Sequence, residues 1–131
     1  MSWNTPKSEG FKNKVKVVKE LAVTLPSSVT TEYGSEIDFI APDISKANQY
    51  VSFGFNASAV TGTNLDIALY GAYESGGTKF LLLDAVVADI TATGLVFGVV
   101  DINAYPAPYY YLGWTSDDDE SANTIDTFVI Q

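Results

Sequence analysis

The chain repeats short segments in which apolar and polar residues alternate, and this feature limits its fold more than any other. A two-residue period is that of a β-strand with one buried face. Residues 49–57, 65–71 and 124–130 show this period. The residues predicted to share a face are Val51, Phe53, Phe55 and Ala57 in the first segment, Leu65, Ile67 and Leu69 in the second, and Ile125 and Val129 in the third.

Three further segments are more apolar than these. Residues 80–87 and 95–102 are nearly continuous apolar runs rich in β-branched residues, and residues 109–115 are aromatic on both faces. Such runs are typical of strands that are buried on both sides. We therefore expect these segments to be central strands.

The first third of the chain is less regular. Residues 15–25 fit either an amphipathic helix or a strand, and their β-branched content together with the following Pro26 favours the strand. Residues 37–40 predict another short strand, and residues 43–48 predict a single helical turn.

Turn-forming residues separate the predicted strands and indicate antiparallel hairpins. The clearest is at Gly76-Gly77, where two glycines can supply the positive φ angles of a two-residue loop. We count eight or nine short strands and no long helix, and 131 residues suit one domain. The sequence therefore predicts an all-β fold, a single antiparallel two-sheet sandwich of jelly-roll or immunoglobulin type.

Charge divides the chain into two parts. All seven basic residues are lysines, and five of them precede residue 20, where two glutamates reduce the charge of residues 1–20 to +3. The other two lysines face fourteen acids, so residues 21–131 carry −12. Residues 1–13 also lack a pattern that would bury them. We therefore predict a basic, extended N-terminal arm of residues 1–20 on an acidic sandwich domain of residues 21–131.

The composition excludes several classes of function. The chain has no Arg, His or Cys, which removes thiol nucleophiles, Ser-His-Asp triads and imidazole or thiolate metal sites. An acidic body repels nucleic acids and anionic membranes, and no apolar run reaches the ~18 residues that span a bilayer. We expect no nucleic acid, membrane, cofactor or signal peptide, and no enzymatic activity, with the carboxylates of the predicted strands facing solvent: Asp66, Asp84, Asp89, Asp101 and Asp126.

An aromatic run is the first candidate binding surface. Residues 105–114 read Tyr-Pro-Ala-Pro-Tyr-Tyr-Tyr-Leu-Gly-Trp, and strand alternation separates Tyr109 and Tyr111 from Tyr110 and Trp114. We expect one set to fill the core and the other to meet a neighbour or a ligand. The candidate inter-subunit or ligand face is Tyr105, Pro106, Pro108, Tyr110 and Trp114.

An acidic loop is the second candidate. Asp117, Asp118, Asp119 and Glu120 are adjacent, and four carboxylates can supply oxygen ligands to calcium, although the spacing is not that of an EF-hand. We interpret the loop as a solvated tip, with a metal site or a basic partner as alternatives.

The arm is the third candidate. It combines an aromatic anchor with positive charge, which suits a contact with an acidic partner surface or with the acidic body itself. Its candidate partner-binding residues are Trp3, Lys7, Lys12, Lys14, Lys16 and Lys19.

Residues 65–131 carry a family resemblance. The relevant features are the strand from Leu65 to Gly71 with its glycine turn, the segment at 90–94, and the unit at 104–115 followed by a polar loop and Asn123-Thr124-Ile125. In these features the chain resembles small β-sandwich proteins of tailed-bacteriophage structural modules, including capsid decoration or cement proteins.

This resemblance implies a non-enzymatic virion protein, assembled in the bacterial cytoplasm, whose trimers clamp neighbouring subunits of the major capsid protein on the outer surface of the shell. Residues 1–20 are where we expect contact with the capsid or a neighbouring copy. A carbohydrate-binding module and a tail or fibre component of the same virion are the alternatives.

Overall fold

The computed structural model describes residues 17–28, 30–38 and 48–131. These residues form eight strands, and a single turn of 3₁₀ helix, Ile102–Ala104, lies between the sixth and the seventh. The strands are β1 (Val17–Thr24), β2 (Glu32–Tyr33), β3 (Tyr50–Ala57), β4 (Leu65–Ala72), β5 (Lys79–Ile90), β6 (Gly94–Asp101), β7 (Tyr109–Thr115) and β8 (Thr124–Ile130).

The strands form two antiparallel four-stranded sheets. Sheet A has the order β1-β8-β3-β6, and sheet B has the order β2-β7-β4-β5. Consecutive strands alternate between the sheets everywhere except at the β4–β5 hairpin, which gives the winding of a jelly roll. The predicted all-β, two-sheet sandwich is therefore confirmed. The expectation of hairpins at every turn is wrong, because most of the turns carry the chain from one sheet to the other.

The core lies between the sheets and consists of the inward residues that alternation predicts. Val51, Phe53 and Phe55 of β3 and Leu65, Ile67 and Leu69 of β4 are fully buried. Each such side chain contributes about 1.5–3 kcal/mol through its removal from water. Burial of the whole set stabilises the sandwich.

The apolar runs of β5 and β6 behave differently from the prediction. We expected both to be buried on both faces, yet most of their residues are exposed or half-buried. Each is the last strand of its sheet among the described residues, where no further strand pairs with its free side. The chain places its most continuous apolar strands at one open edge of the sandwich.

The β4–β5 turn confirms the predicted hairpin but not its length. Gly76 has a φ of 72°, and the Gly77 N–H donates to the Glu74 carbonyl at 2.9 Å. The loop between Ala72 and Lys79 contains six residues instead of two. Only one of the two glycines needs the left-handed conformation.

The N-terminal predictions have mixed outcomes. Residues 17–24 form a strand, as favoured, and the predicted boundary at residue 20 falls inside it. Residues 34–38 form no strand, although the Ile37 N–H donates to the Tyr110 carbonyl at 2.8 Å. Residues 39–40 and the predicted helical turn up to residue 47 lie outside the described residues. In the described part of the chain, no helix is long and apolar enough to cross a membrane.

Candidate functional site: the outer face of sheet A

Sheet A carries apolar side chains on its outer face as well as in the core. On β6 the outward residues Leu95, Phe97 and Val99 are all more than half exposed. Val99 lies opposite Ser52, and Ser52 lies opposite Ile130 of β8. These residues form one cross-strand row on the outside of the sheet, where side chains of neighbouring strands are in contact distance.

The same register extends the apolar surface across the whole sheet. Ile130 lies opposite Val17 of β1. One row further on, Phe97 lies opposite Gly54, and Gly54 lies opposite Phe128. We call the combined surface the sheet-A patch, and it consists of Val17, Tyr50, Leu95, Phe97, Val99, Phe128 and Ile130.

The absence of a side chain at Gly54 leaves room for the Phe97 ring. A Cβ atom at this position would stand 2.8 Å from a ring carbon of Phe97 and 3.6 Å from the Cβ of Phe128. The Phe97 ring therefore extends over the backbone of β3 towards β8. A side chain at position 54 would therefore displace the Phe97 ring from the surface of β3.

Polar and charged groups border the patch. Lys19 lies opposite Phe128 at the β1 edge, and Asp126 lies opposite Asn56. Asp101 lies opposite Tyr50 at the other end. An apolar centre with a charged rim is the usual composition of a protein interface.

Backbone hydrogen bonds hold the rim acids in place. The Asp101 carboxylate accepts the Gln49 N–H at 2.9 Å and the Asn48 amide at 2.9 Å, and these bonds lower its pKa. Asp126 accepts the Ala22 N–H at 2.8 Å in the bulge of β1, where Ala22 has a φ of 56°. The rim therefore keeps its negative charges at fixed positions.

Part of the outer face of sheet B is covered by its own side chains. The Tyr33 and Tyr70 rings meet edge to face at 5.0 Å, and the Lys79 Nζ lies 4.4 Å from the centre of the Tyr111 ring. The Tyr111 hydroxyl accepts the Gly76 N–H at 2.7 Å and donates to Glu36 at 3.3 Å. We call these five residues, Tyr33, Glu36, Tyr70, Lys79 and Tyr111, the sheet-B cover.

The predicted aromatic face does not form a single surface. Tyr110 and Trp114 are 3% and 0% exposed and belong to the core, because β7 directs them between the sheets. This corrects their assignment to an interface. Tyr105 is half-buried against the core, and Pro106 and Pro108 are exposed in the loop before β7.

Tyr110 stabilises the loop before β7 through two hydrogen bonds of its hydroxyl. Its hydroxyl donates to the Tyr105 carbonyl at 2.7 Å and accepts the Ala107 N–H at 2.8 Å. Burial raises the pKa of Tyr110, while the bond from Ala107 opposes the shift. The role of this residue is to support the fold.

The acidic loop is only in part the solvated tip that we expected. Glu120 is 0% exposed, and its carboxylate accepts the Thr61 and Gly62 N–H groups at 2.8 Å. The Asn123 amide and the Ser116 hydroxyl donate to it as well. Burial opposes the ionisation of Glu120, but these four donors outweigh it and lower its pKa.

The other acids of this loop are exposed. Asp117 accepts the Thr63 and Asn64 N–H groups at 3.2 and 3.1 Å, and Asp119 accepts the Ser121 N–H at 2.9 Å. Asp118 accepts the N–H of its neighbour Asp119 at 2.7 Å. Within residues 17–28, 30–38 and 48–131, no three acids come together in an arrangement that could hold a metal ion.

The remaining candidates have separate positions. Trp3, Lys7, Lys12, Lys14 and Lys16 lie outside the described residues. Lys19 lies in β1 and belongs to the rim of the sheet-A patch.

Three of the five strand carboxylates accept backbone hydrogen bonds from other segments of the chain. Asp66 accepts the Asp89 N–H at 2.8 Å, in addition to the bonds of Asp101 and Asp126. Asp84 and Asp89 are exposed, and the other three are half-buried.

The sheet-A patch is the site that the sequence analysis missed. Leu95, Phe97 and Val99 were included in an apolar run predicted to be buried on both faces. A signal was present in the alternation of outward Phe128 and Ile130 with inward Ile125 and Val129, which makes both faces of β8 apolar.

No known family model matches the chain, and no curated protein matches its sequence.

Proposed function

We propose that the chain is a structural virion protein, a capsid decoration protein that binds the outer surface of the major capsid shell and bridges its neighbouring subunits. The observation that carries the proposal is the sheet-A patch. Exposed apolar surfaces of this kind, bordered by polar residues, are typical of protein–protein contacts. The family resemblance of residues 65–131 supplies the identity of the partner.

The patch suits a broad contact better than a small ligand. It is a sheet face on which the Phe97 ring of the end strand β6 reaches over Gly54 of β3, and charged residues lie at its border. Flat, rigid and aromatic surfaces concentrate binding energy in a few central residues once water is excluded. In this proposal Phe97 and Val99 are those residues, and the four lysines of residues 1–16, together with Lys19 at the rim, add attraction to acidic regions of the shell.

The test uses shells assembled from the major capsid protein encoded in the same genome. We expect the protein to sediment with these shells. Phe97→Ser with Val99→Ser should weaken binding by at least about 30-fold, which is the effect of losing a single contact worth ~2 kcal/mol. The matched control is Leu81→Ser with Tyr73→Ser, which also removes two exposed apolar side chains but lies on sheet B and its hairpin loop.

Two outcomes would refute the proposal. One is a genome that encodes no major capsid protein, and the other is equal shell binding by the patch variant and the control.

Truncation of residues 1–16 tests the arm separately, and we expect weaker binding with a reduced dependence on salt. Light scattering tests the trimer, and localisation in particles distinguishes a shell protein from a tail or fibre component.

A further inference from the structure

Three of the four strands at the ends of the described sheets have features that hinder pairing with a further strand. The register of β1 shifts between Glu20 and Val23, and the register of β5 shifts three times along its pairing with β4. Strand β2 has only two residues. Bulges and short lengths of this kind protect the open edges of natural sheets against pairing with other chains.

The fourth end strand, β6, has none of these features. Its eight residues pair with β3 in one unbroken register, from Gly94 to Asp101. They include no proline and only one charged residue, Asp101, which is the last residue of the strand. Among the end strands that the structure describes, β6 is therefore the one best suited to accept a further strand.

The hydrogen bonds between β3 and β6 show which backbone groups of β6 point to its free side. The Ile102 N–H donates to the Gln49 carbonyl at 2.8 Å, in the same register that pairs the two strands. Bonding alternates along an antiparallel strand, so the even-numbered residues of β6 bond to β3. The N–H and C=O groups of Leu95, Phe97 and Val99 therefore point to the free side.

Strand β5 of the other sheet lies against β6 at this edge. A Cβ atom at Gly98 would meet the carbonyl oxygen of Val86, so the two strands are in close contact there. Asp84 and Asp89 flank Val86 along β5 and are both exposed. Together with Asp101 at the end of β6, they make the surroundings of the free side acidic.

The charge of this edge favours a basic strand. The one base of β5 and β6, Lys79, lies over the Tyr111 ring on the outer face of sheet B at 4.4 Å. Pairing of β6 with the β6 of a second copy would bring two sets of acids together, which is unfavourable. A strand that carries lysines is attracted instead.

Residues 11–16 have the sequence pattern and the charge of such a strand. They read Phe-Lys-Asn-Lys-Val-Lys, in which every second residue is a lysine, and this period of two is typical of a strand. Three lysines and no acid give the segment a charge of +3. The segment lies outside the described residues and directly precedes β1 in sequence.

The same chain cannot place this whole segment beside its own β6. Strands β1 and β6 are the two ends of sheet A, so a strand added to β6 lies four strand spacings, or roughly 19 Å, from β1. Residue 16 is bonded to Val17 at the start of β1, and consecutive Cα atoms are only about 3.8 Å apart. A strand formed by residues 11–16 therefore reaches β6 only in another copy of the chain.

We propose that residues 11–16 of a second copy add as a strand to the free edge of β6 and join copies of the chain. The donor and the acceptor surfaces differ, so the contact is heterologous and links the copies head to tail. The added strand lies in the plane of sheet A and leaves the sheet-A patch accessible. The inference is therefore independent of the proposed function, and its tests need no capsid shells.

The first experiment compares the mass of the full chain with that of two truncated chains by light scattering at several protein concentrations. We expect the full chain and the chain without residues 1–10 to form the same oligomers, and the chain without residues 1–16 to be monomeric. A monomeric full chain would overturn the proposal. So would oligomers that persist without residues 1–16, or oligomers that are already lost without residues 1–10.

The second experiment tests the β6 edge directly. A peptide of residues 10–17 with blocked ends is titrated onto the chain without residues 1–16, in which Val99→Pro is compared with Val99→Ala. The proline removes the N–H that points to the free side, a change that an edge strand tolerates, whereas the alanine keeps it. We expect the proline variant to bind the peptide at least about tenfold more weakly, and circular dichroism checks that both variants are folded.

A rearranged peptide of the same composition, with its three lysines adjacent, separates strand pairing from attraction by charge alone. It keeps the charge of +3 but loses the period of two, and it should bind the chain without residues 1–16 at least about tenfold more weakly than the natural peptide. Equal binding of the two peptides, no binding of the natural one, or equal binding by folded Val99→Pro and Val99→Ala would overturn the proposal.

Discussion

The outer faces of the two sheets differ although both carry large apolar and aromatic side chains. On sheet B, the rings of Tyr33, Tyr70 and Tyr111 contact one another or Lys79, and Tyr111 is almost fully buried. On sheet A, Phe97 and Val99 are 56% and 63% exposed. Tyr111 is therefore packed within the molecule, whereas Phe97 is left accessible, although Tyr33 and Leu81 of sheet B also stay 39% and 53% exposed.

This difference predicts that the two sets of side chains contribute to different properties. Those packed on sheet B stabilise the single chain, and those exposed on sheet A contribute to its association with another surface. A side chain that is buried against its own chain contributes to the free energy of unfolding, and its removal leaves a cavity or unpaired groups. A side chain that is exposed in the single chain contributes little to folding and gains energy only when another surface covers it. We therefore expect substitutions in the sheet-B cover to destabilise the protein and substitutions in the sheet-A patch to affect association.

The largest expected effect is at Tyr111. Tyr111→Ala should lower the free energy of unfolding by about 3–4 kcal/mol, since it removes a buried ring. Its hydroxyl bonds to Gly76 and Glu36 are lost with it. The matched substitution Phe97→Ala should cost under about 1 kcal/mol, because an exposed ring loses few contacts. Urea denaturation of the two variants at low protein concentration gives both values.

Equal losses of unfolding free energy in Tyr111→Ala and Phe97→Ala would contradict the distinction between the two faces. A loss for Phe97→Ala that grows with protein concentration would sharpen it, because it would show that copies of the chain cover the patch by packing together.

Alternation in the sequence was sufficient to predict the central strands. In β3 every second residue from Val51 to Ala57 is inward and buried. The two-residue period of this strand identifies its buried face without any knowledge of the neighbouring strands. The runs that became β5 and β6 have no such period. Whether both faces of such a run are covered depends on its position in the sheet, and an end strand is distinguished from a central one only by pairing between distant segments.

The acidic loop illustrates a second limit of prediction from the sequence. Asp117 to Glu120 are four adjacent acids, and nothing in that run distinguishes Glu120 from the others. Glu120 becomes buried because Thr61 and Gly62, almost sixty positions earlier, direct two N–H groups at it. The sequence of the loop therefore indicates its charge. It does not indicate the hydrogen-bond donors of Glu120, because only the folded chain brings them close.

The next largest effect is at Glu120, and it tests whether the ends of the sandwich contribute independently of its two faces. The bonds from Thr61, Gly62, Asn123 and Ser116 hold the pKa of Glu120 below its ordinary value of 4.5. Protonation therefore favours the unfolded chain. The stability that Glu120 confers is complete above pH 4.5 and is lost as the pH falls through the lower value of the folded state.

Glu120→Gln should remove that part of the pH dependence and cost about 2–3 kcal/mol near neutral pH, since an amide cannot accept from all four donors. Urea midpoints between acidic and neutral pH measure both effects. Asp101 and Asp119 also have lowered pKa values, but they are present in both proteins and cancel in the difference. A parent and a variant with parallel pH profiles would show that Glu120 has no such role.

The smallest expected effect compares one lysine on each face. Lys79 lies over the Tyr111 and Tyr33 rings at 4.4 and 5.3 Å, whereas Lys19 lies at the rim of the sheet-A patch. Lys79→Met keeps the length of the side chain and removes its charge, and it should cost about 0.5–1 kcal/mol, the value of a partly exposed cation–π contact. Lys19→Met should leave the urea midpoint of the isolated chain unchanged. If both substitutions cost the same, the sheet-B cover is not stabilised by its central cation, and the contrast between the two faces depends on the buried tyrosine rings alone.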